Sequence, residues 1–164
     1  MPEERNYWLI TFTGITWNEF LNVGANTYGL KDWYETTASK TKLGDYLICY
    51  MAGVSRFVGL LEVKSAPFRE RKEIWTHHPL FLRLRVEPII LLTPETGIPV
   101  TELKDQLSMF QNLKSPSSWA MHFRNALRQW KEKDANAVIA ALKKAEKKPI
   151  KREVEKVKLS KQPT

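Results

Sequence analysis

Aromatic side chains in two segments that have the composition of loops are the residues best suited to chemistry in this sequence. Tyr28, Trp33 and Tyr34 fall within the stretch VGANTYGLKDWYETTAS, and Trp75 lies in the polar stretch RKEIWTHHP. Loop aromatics of this kind can wall a pocket that stacks a planar ligand, and base–aromatic stacking contributes about 1–3 kcal/mol per base. The alternative is that each ring only fills the core or covers a loop.

Residue patterns that support catalysis are missing from the sequence. It has no glycine-rich phosphate loop, no H-E-x-x-H, no C-x-x-C and no G-x-S-x-G motif. His77 and His78 are adjacent, and neighbouring side chains of an extended segment point to opposite faces, so they suit a surface loop better than a shared metal. His122 is interpreted as a structural histidine, with contact to a ligand as the alternative. The sequence therefore predicts no enzyme active site, no metal site and no cofactor.

The formal net charge of +8 is concentrated near the C-terminus. Residues 143–164 hold nine basic and three acidic residues, which leaves 17 basic and 15 acidic residues in 1–142, a net of +2. A body that coats duplex phosphates should be more basic than this. An aromatic pocket in a nearly neutral body instead predicts recognition of one extruded base.

Length and composition indicate one packed domain. The chain has 164 residues, of which 43% are hydrophobic, enough for a single core. Cys49 is the only cysteine, which excludes a disulfide within the chain and suits a reducing cytoplasm. No apolar run approaches the roughly 20 residues of a membrane span. We expect a cytoplasmic location and no membrane partner.

The elements that must position the aromatic segments are mostly strands. The sequence predicts a first strand over 6–13, a short helix over 17–23 capped by Thr16, a hairpin of strands ending near Met51 and starting near Arg56, and a strand over 81–92 interrupted at Pro88. Hairpin-length connections between few strands favour an α+β fold, with a small, mostly antiparallel curved sheet or pseudo-barrel flanked by helices.

Two helices are predicted near the C-terminus. Ser115 and Pro116 suit a helix start, and a helical face follows at Trp119, Phe123, Ala126, Leu127 and Trp130. A last helix is predicted to begin at a capping Asp134. The apolar pattern ends at Lys143, which predicts a domain over 1–142 and a basic, solvated linker or tail over 143–164.

Several motifs together resemble an EVE domain, a member of the PUA-like superfamily related to YTH domains. They are NYWLIT, TYGLKDW, TKLGDYLICYMAG, FVGLLEVKSAPF and SPSSWAMHFRNAL, and the resemblance covers about residues 6–142. It implies a curved, barrel-like sheet flanked by helices, with an aromatic pocket that accepts a modified base.

The resemblance also implies site residues. Tyr28 matches the position where relatives often place a cage tryptophan, and Gly29 and Leu30 follow it. Trp75 falls in the segment that supplies a second wall in YTH-like domains, and Thr13 matches a polar position that can contact the base edge. With Trp33 from the aromatic loop, these six residues form the predicted base-binding site. Tyrosine in place of the cage tryptophan implies a different preferred base.

The predicted function is therefore non-catalytic reading of a modified nucleobase, with methylated DNA as the favoured polymer and RNA as the alternative. EVE-like domains occur at the N-terminus of McrBC-type modification-dependent restriction GTPases, so the resemblance implies the specificity module of a restriction system and a C-terminal GTPase domain as partner. The alternative is an RNA-binding or RNA-modification accessory protein with little dependence on methylation, which works through the basic tail. An enzyme acting on small nucleotides is a third, less favoured hypothesis.

Overall fold

The computed structural model describes residues 4–160, which form a curved sheet with helices packed on it. Its strands are β1 (Tyr7–Phe12), β2 (Thr27–Leu30), β3 (Tyr46–Met51), β4 (Arg56–Val63), β5 (Phe68–Arg69), β6 (Leu82–Leu91), β7 (Ile98–Pro99) and β8 (Leu127–Trp130). Its α-helices are α1 (Gly14–Asn22), α2 (Glu35–Ala38), α3 (Glu132–Lys147) and α4 (Lys156–Leu159). Four 3-10 turns cover Asp32–Tyr34, Val100–Leu103, Ser108–Phe110 and Ser118–Phe123.

The sheet runs in the order β2-β6-β4-β3-β1-β8, with β5 added beside β6 and β7 beside β4. Strands β1 and β3 pair in parallel, from Tyr7 opposite Tyr46 to Phe12 opposite Met51, and the other described pairs are antiparallel. The sheet curls into a half-barrel with helices against it. This confirms the predicted α+β architecture, a curved and mostly antiparallel sheet flanked by helices.

Both faces of the central strands are buried. Successive side chains of a strand point to opposite faces, and neighbouring residues of these strands pack in two different clusters. In β1, Trp8 belongs to a first cluster inside the curl, where Trp17 of α1 also lies. The neighbouring Leu9 belongs to a second cluster on the outer face, where Leu142 of α3 lies. The sheet therefore holds α1 on one side and α3 on the other.

Helix α1 begins three residues earlier than predicted, at Gly14, with Thr13 rather than Thr16 as its N-cap. The Thr16 backbone N–H donates to Thr13 Oγ1 at 3.1 Å, and the Thr13 N–H donates to Thr16 Oγ1 at 2.8 Å. The two threonines thus form a reciprocal capping box. Trp17 and Phe20 of this helix are buried, whereas Leu21 is 36% exposed.

The predicted hairpin and the predicted irregularity at Pro88 are confirmed. Strands β3 and β4 pair antiparallel, with Tyr46 opposite Glu62. Pro88 of β6 faces Leu61 where the register shifts between Leu60 and Leu61. Proline has no N–H to donate to a ladder, so it is accommodated at such a bulge.

The predicted helix over 116–130 is wrong. A 3-10 turn covers Ser118–Phe123, and Leu127–Trp130 is strand β8, paired antiparallel with β1. Leu127 packs in the first cluster and Trp130 in the second, because residues three apart in a strand face opposite sides of the sheet. An apolar spacing of three is shared by a helical stripe and by a strand that is buried on both faces.

The C-terminal part of the chain differs from the predicted pattern. Helix α3 starts at Glu132, so Asp134 lies in its first turn, and its carboxylate accepts from the Ser108 N–H at 2.8 Å. The helix runs through the predicted boundary after residue 142 and ends at Lys147, with Ala145 buried. Residues 150–160, predicted to be solvated, contact the body through backbone carbonyls beside Arg56 and through the Leu159 side chain, contacts that apolar periodicity does not reveal.

Within residues 4–160, no helix has the length and apolar character needed to cross a membrane.

Candidate base-binding cavity

A cavity of about 750 Å³ opens where five segments meet at one end of the half-barrel. The segments are the end of β1 with the start of α1, strand β2 with the turn after it, the β3–β4 turn, the loop before β6, and the chain before β8. Its volume is within the range of small-molecule sites. All six residues of the predicted base-binding site line it: Tyr28, Trp75, Thr13, Gly29, Leu30 and Trp33. Their roles in binding stay predictions.

Trp75 lies directly against the backbone of β2. A Cβ atom built on Gly29 would lie 2.5 Å from Trp75 Cζ3 and 2.7 Å from Cη2, and 3.0 Å from Leu80 Cβ. Real side chains do not approach so closely, so the indole occupies the space that any other residue at position 29 would need. Gly29 therefore sets the position of the Trp75 wall.

A buried arginine holds the loop that carries Trp75. The Arg83 side chain is fully buried, and its Nη1 lies 2.7 Å from Glu70 Oε1. Its Nε donates to the Leu80 carbonyl at 3.2 Å, and its Nη2 donates to the Lys72 carbonyl. The guanidinium carbon also lies 5.4 Å from the centre of the Trp75 ring, within range of a cation–π contact. One charged group thus ties together both ends of the segment 70–80.

Arg83 is buried, although it alternates with apolar residues along β6 as a side chain on the exposed side of a strand would. The loop folds back over that side of β6, so it covers the arginine and supplies the carbonyl groups that satisfy it. A second tie comes from α1, where Glu19 Oε2 accepts from the Thr76 N–H at 2.9 Å. Trp75 is therefore placed by contacts on both sides of the loop.

Tyr28 lies deep in the cavity and is only 3% exposed. Its ring packs edge-on against Phe12, with centroids 5.3 Å apart. Its hydroxyl is placed to donate to the carbonyls of Thr11, at 3.3 Å, and Ala126, at 3.1 Å. Burial raises the pKa of the Tyr28 phenol far above its usual range, so the group is neutral. Its ring surface remains the part that can meet a ligand.

The chain before β8 is held to the cavity by two tyrosines. Tyr28 bonds the Ala126 carbonyl, and the Ala126 N–H donates to the Tyr34 hydroxyl at 2.9 Å. Both hydroxyls therefore fix one peptide segment of the wall. This gives Tyr34 a structural role within the aromatic stretch that carries Tyr28 and Trp33.

Trp33 stands at the rim and is 73% exposed. The Lys31 ammonium lies 5.0 Å from the centre of its ring. An exposed indole beside a cation is a surface on which a planar, negatively charged ligand can stack. Trp33 thus differs from Trp75, which is buried and held in place.

Thr13 lines the cavity through a hydroxyl that already caps α1. Its Oγ1 accepts from the Thr16 N–H and lies 3.3 Å from Thr16 Oγ1. A contact from Thr13 to a base edge would therefore involve a hydroxyl whose orientation the helix start already restricts.

Among the other lining residues are Lys31, Tyr34, His78, Phe123 and Arg124, which the sequence prediction did not include in the site. Tyr34 could have been included, because it belongs to the same aromatic stretch. His78 was assigned to a surface loop, whereas it is half-buried beside the cavity. Phe123 was assigned to a helical core, and its ring stacks on Tyr50 at 4.4 Å. No sequence signal marks Arg124, because its place depends on the path of the chain into β8.

Among residues 4–160, no three His, Cys, Asp or Glu side chains are grouped so that they could hold a metal ion.

The structure resembles the YTH domain of the MRB1 protein of Zygosaccharomyces rouxii, solved in complex with N6-methyladenosine RNA, with a TM-score of 0.63 and 14% identity over 87% of this chain and 90% of that one. It resembles the Mmi1 YTH domain, solved with RNA, with a TM-score of 0.65 and 12% identity over 92% and 85%.

A third similar structure is the Atu2648 protein of Agrobacterium tumefaciens, with a TM-score of 0.56 and 14% identity over 83% of this chain and 92% of that one. At these identities the similarity shows the fold alone. No curated protein matches the sequence significantly. The family model described as the EVE domain matches residues 6–141, most of the chain. The chain therefore belongs to the EVE domain family.

Proposed function

We propose that this EVE domain is a non-catalytic reader of a modified nucleobase in nucleic acid. The observation that carries the proposal is the convergence of Tyr28, Trp33 and Trp75 on one cavity. The body that holds the cavity is nearly neutral by sequence, which suits recognition of one base better than coating of a duplex.

In the proposed complex a single base leaves its stack and enters the cavity. The base contacts the ring surfaces of Trp75 and Tyr28, which provide stacking energy that does not depend on a particular base. A methyl group on that base would be buried against apolar side chains such as Leu30. Burial of one such carbon contributes about 0.8 kcal/mol, which is about a fourfold gain in affinity.

The polymer and the biological setting are part of the proposal. We favour methylated DNA and a role as the specificity module of a restriction system, with a GTPase domain as partner, because of the resemblance to the N-terminal domains of McrBC-type enzymes. The MRB1 YTH domain, of similar fold, was solved with N6-methyladenosine RNA. N6-methyladenine is therefore the first modification to test, in both polymers.

The experiment is a binding panel measured by fluorescence anisotropy. Oligonucleotides of one sequence carry N6-methyladenine, 5-methylcytosine, 5-hydroxymethylcytosine or no modification, as DNA and as RNA, single-stranded and in duplexes. One modified strand should bind at least about fourfold tighter than its unmodified match. A mismatch opposite the modified base should strengthen binding, because an unpaired base costs less to extrude.

Two variants show whether the cavity is responsible. Trp75→Leu should remove most of the affinity for the preferred strand. Leu43→Ala is the matched control, because Leu43 is an exposed hydrophobic residue that does not line the cavity. Equal affinity for modified and unmodified strands across the panel would overturn the proposal.

The second candidate function is general RNA binding with little dependence on methylation. It is favoured by the basic C-terminal segment, with nine Lys and Arg in 143–164. Equal binding of modified and unmodified RNA, with steep weakening as salt rises, would support it over the reader.

A further inference from the structure

The segment 149–160, here called the strap, is held on the body at a first point beside β4. Arg56 Nη2 donates to the Glu153 carbonyl at 2.9 Å, and its Nη1 donates to the carbonyls of Pro94, at 2.8 Å, and Arg152, at 3.3 Å. The Arg152 N–H donates to the Glu95 carbonyl at 2.8 Å. Main-chain groups of the strap thus have fixed partners on the body.

A second point of attachment lies at the start of α1. A Cβ atom built on Gly14 would overlap the carbonyl oxygen of Leu159 and lie 3.0 Å from its Cα. The Leu159 side chain packs against the first cluster. The strap backbone therefore rests on Gly14, where only glycine leaves enough room.

Both points of attachment adjoin the cavity. Arg56 follows Ser55 in the chain and Gly14 follows Thr13, and both Ser55 and Thr13 line the cavity. The strap therefore runs between Arg56 and Gly14, each next in the chain to a lining residue, while none of residues 149–160 itself lines the cavity. Its four-residue helix α4 is about 6 Å long, which keeps its residues close to Gly14.

Positive charge is exposed on this part of the strap. Lys156 and Lys158 are both exposed, within three residues of Leu159. Lys158 lies 3.7 Å from Glu155, but both side chains are more than half exposed, so this pair is weak. Arg152, by contrast, is engaged with Glu102 at 2.8 Å. Lys151 is exposed as well, but Lys156 and Lys158 are the strap cations nearest in the chain to Leu159, which contacts Gly14.

We infer that the strap forms a phosphate-binding edge of the cavity, in which Lys156 and Lys158 contact the backbone of the strand whose base enters it. This rests on the proposed function. The strap supplies sequence-independent, salt-dependent affinity, and the cavity supplies discrimination between bases. The body alone is close to neutral and would give little such affinity.

The test compares two double variants with the same loss of charge. K156Q/K158Q changes the strap, and K143Q/K144Q changes two exposed lysines of helix α3. The affinity for one single-stranded oligonucleotide is measured from about 50 to 200 mM salt. Loss of two phosphate contacts should lower the slope of log affinity against log salt by about 1.4 in the strap variant. The control should keep the parent slope within error.

Gly14→Ala provides a second variant, because a methyl group at position 14 displaces Leu159. It should lower the salt slope in the parent background and have little further effect in K156Q/K158Q. Equal loss of slope in both double variants would show that only net charge matters and would overturn the inference. An unchanged slope in K156Q/K158Q would overturn it as well.

The salt slope tests the strap, and the ratio of affinities for modified and unmodified strands tests the proposed function. The ratio of affinities for modified and unmodified strands should stay at the parent value in K156Q/K158Q. An affinity ratio of one in the parent protein refutes the proposed reading of a modified base, whatever the salt slopes are. A preserved affinity ratio with unchanged salt slopes refutes only the phosphate-binding role of the strap.

Discussion

Replacement of Gly29 by alanine tests whether the backbone of β2 sets the position of Trp75. In an ordinary strand, alanine is more favourable than glycine by about 0.5–1 kcal/mol. Gly29 does not adopt a positive φ, so its backbone accepts a side chain. The obstacle is the indole, which would lie 2.5 Å from the new Cβ instead of the roughly 3.5–4 Å of an ordinary contact.

The overlap cannot be relieved by a free movement of Trp75. Its loop is held by Arg83, through Glu70 and the carbonyls of Lys72 and Leu80, and by Glu19 through the Thr76 N–H. Overpacking of this kind costs about 1–3 kcal/mol. Gly29→Ala should therefore destabilise the protein by about that amount and weaken binding of the preferred strand.

The background Trp75→Leu should remove most of this cost. Leucine lacks the two ring atoms that the new Cβ meets, so only the 3.0 Å contact with Leu80 Cβ remains and Gly29→Ala should be close to neutral. The free energy of unfolding is measured by urea denaturation for the four proteins of this cycle, and the coupling should be about 1–3 kcal/mol. If Gly29→Ala has the same effect in both backgrounds, the indole does not occupy the space above Gly29 and the wall is misplaced.

Four further changes have definite expected outcomes. Tyr28→Phe loses two hydroxyl contacts and should cost about 1–2 kcal/mol in urea denaturation. Because burial raises the pKa of the Tyr28 phenol, only the unfolded state ionises there as the pH rises above 10.0, and the fold loses stability. The variant should therefore show a smaller fall in stability between about pH 10 and 12. Arg83→Met should cost about 2–6 kcal/mol by leaving two carbonyls unpaired and Glu70 with Arg85 as its remaining partner, whereas Arg69→Gln, in an exposed pair, should cost much less. Trp33→Ala should change the free energy of unfolding by less than about 0.5 kcal/mol and lower affinity in the anisotropy assay; full affinity would remove the residue from the site. Truncation after Lys148 should lower stability by about 1–3 kcal/mol, since it removes the carbonyl partners of Arg56, and an unchanged melting curve would show that the strap is not held.

The elements bounded by a distinct turn or marked by a proline could be predicted from the sequence. The apolar runs of β3 and β4 and the turn residues between them predicted their hairpin, and Pro88 marked a bulge in β6. The aromatic composition of 28–34 and the segment around Trp75 indicated a pocket, and the structure brings them to one cavity. These signals are local, and each has a direct steric or hydrogen-bonding cause.

Features that depend on distant partners could not be predicted in the same way. Leu127 and Trp130 fit a helical stripe until β1 is known to lie beside them and both faces of the sheet are known to be covered. Arg83 alternates with apolar residues as an exposed side chain would, and its burial depends on a loop with no regular structure. The strap is held by carbonyl groups, which every residue has, so its composition gave no sign of Arg56 as a partner.

The geometry of the cavity limits how discrimination between bases can arise. Stacking on Trp75 and Tyr28 favours modified and unmodified bases alike, so it supplies affinity but little selectivity. One buried methyl group adds about 0.8 kcal/mol, or about fourfold. The Tyr28 hydroxyl is bonded to main-chain carbonyls and kept neutral, so it adds little that is specific to a base edge. Selectivity well above fourfold would therefore require polar contacts that only the modified base satisfies, and Thr13 is the predicted residue for such a contact.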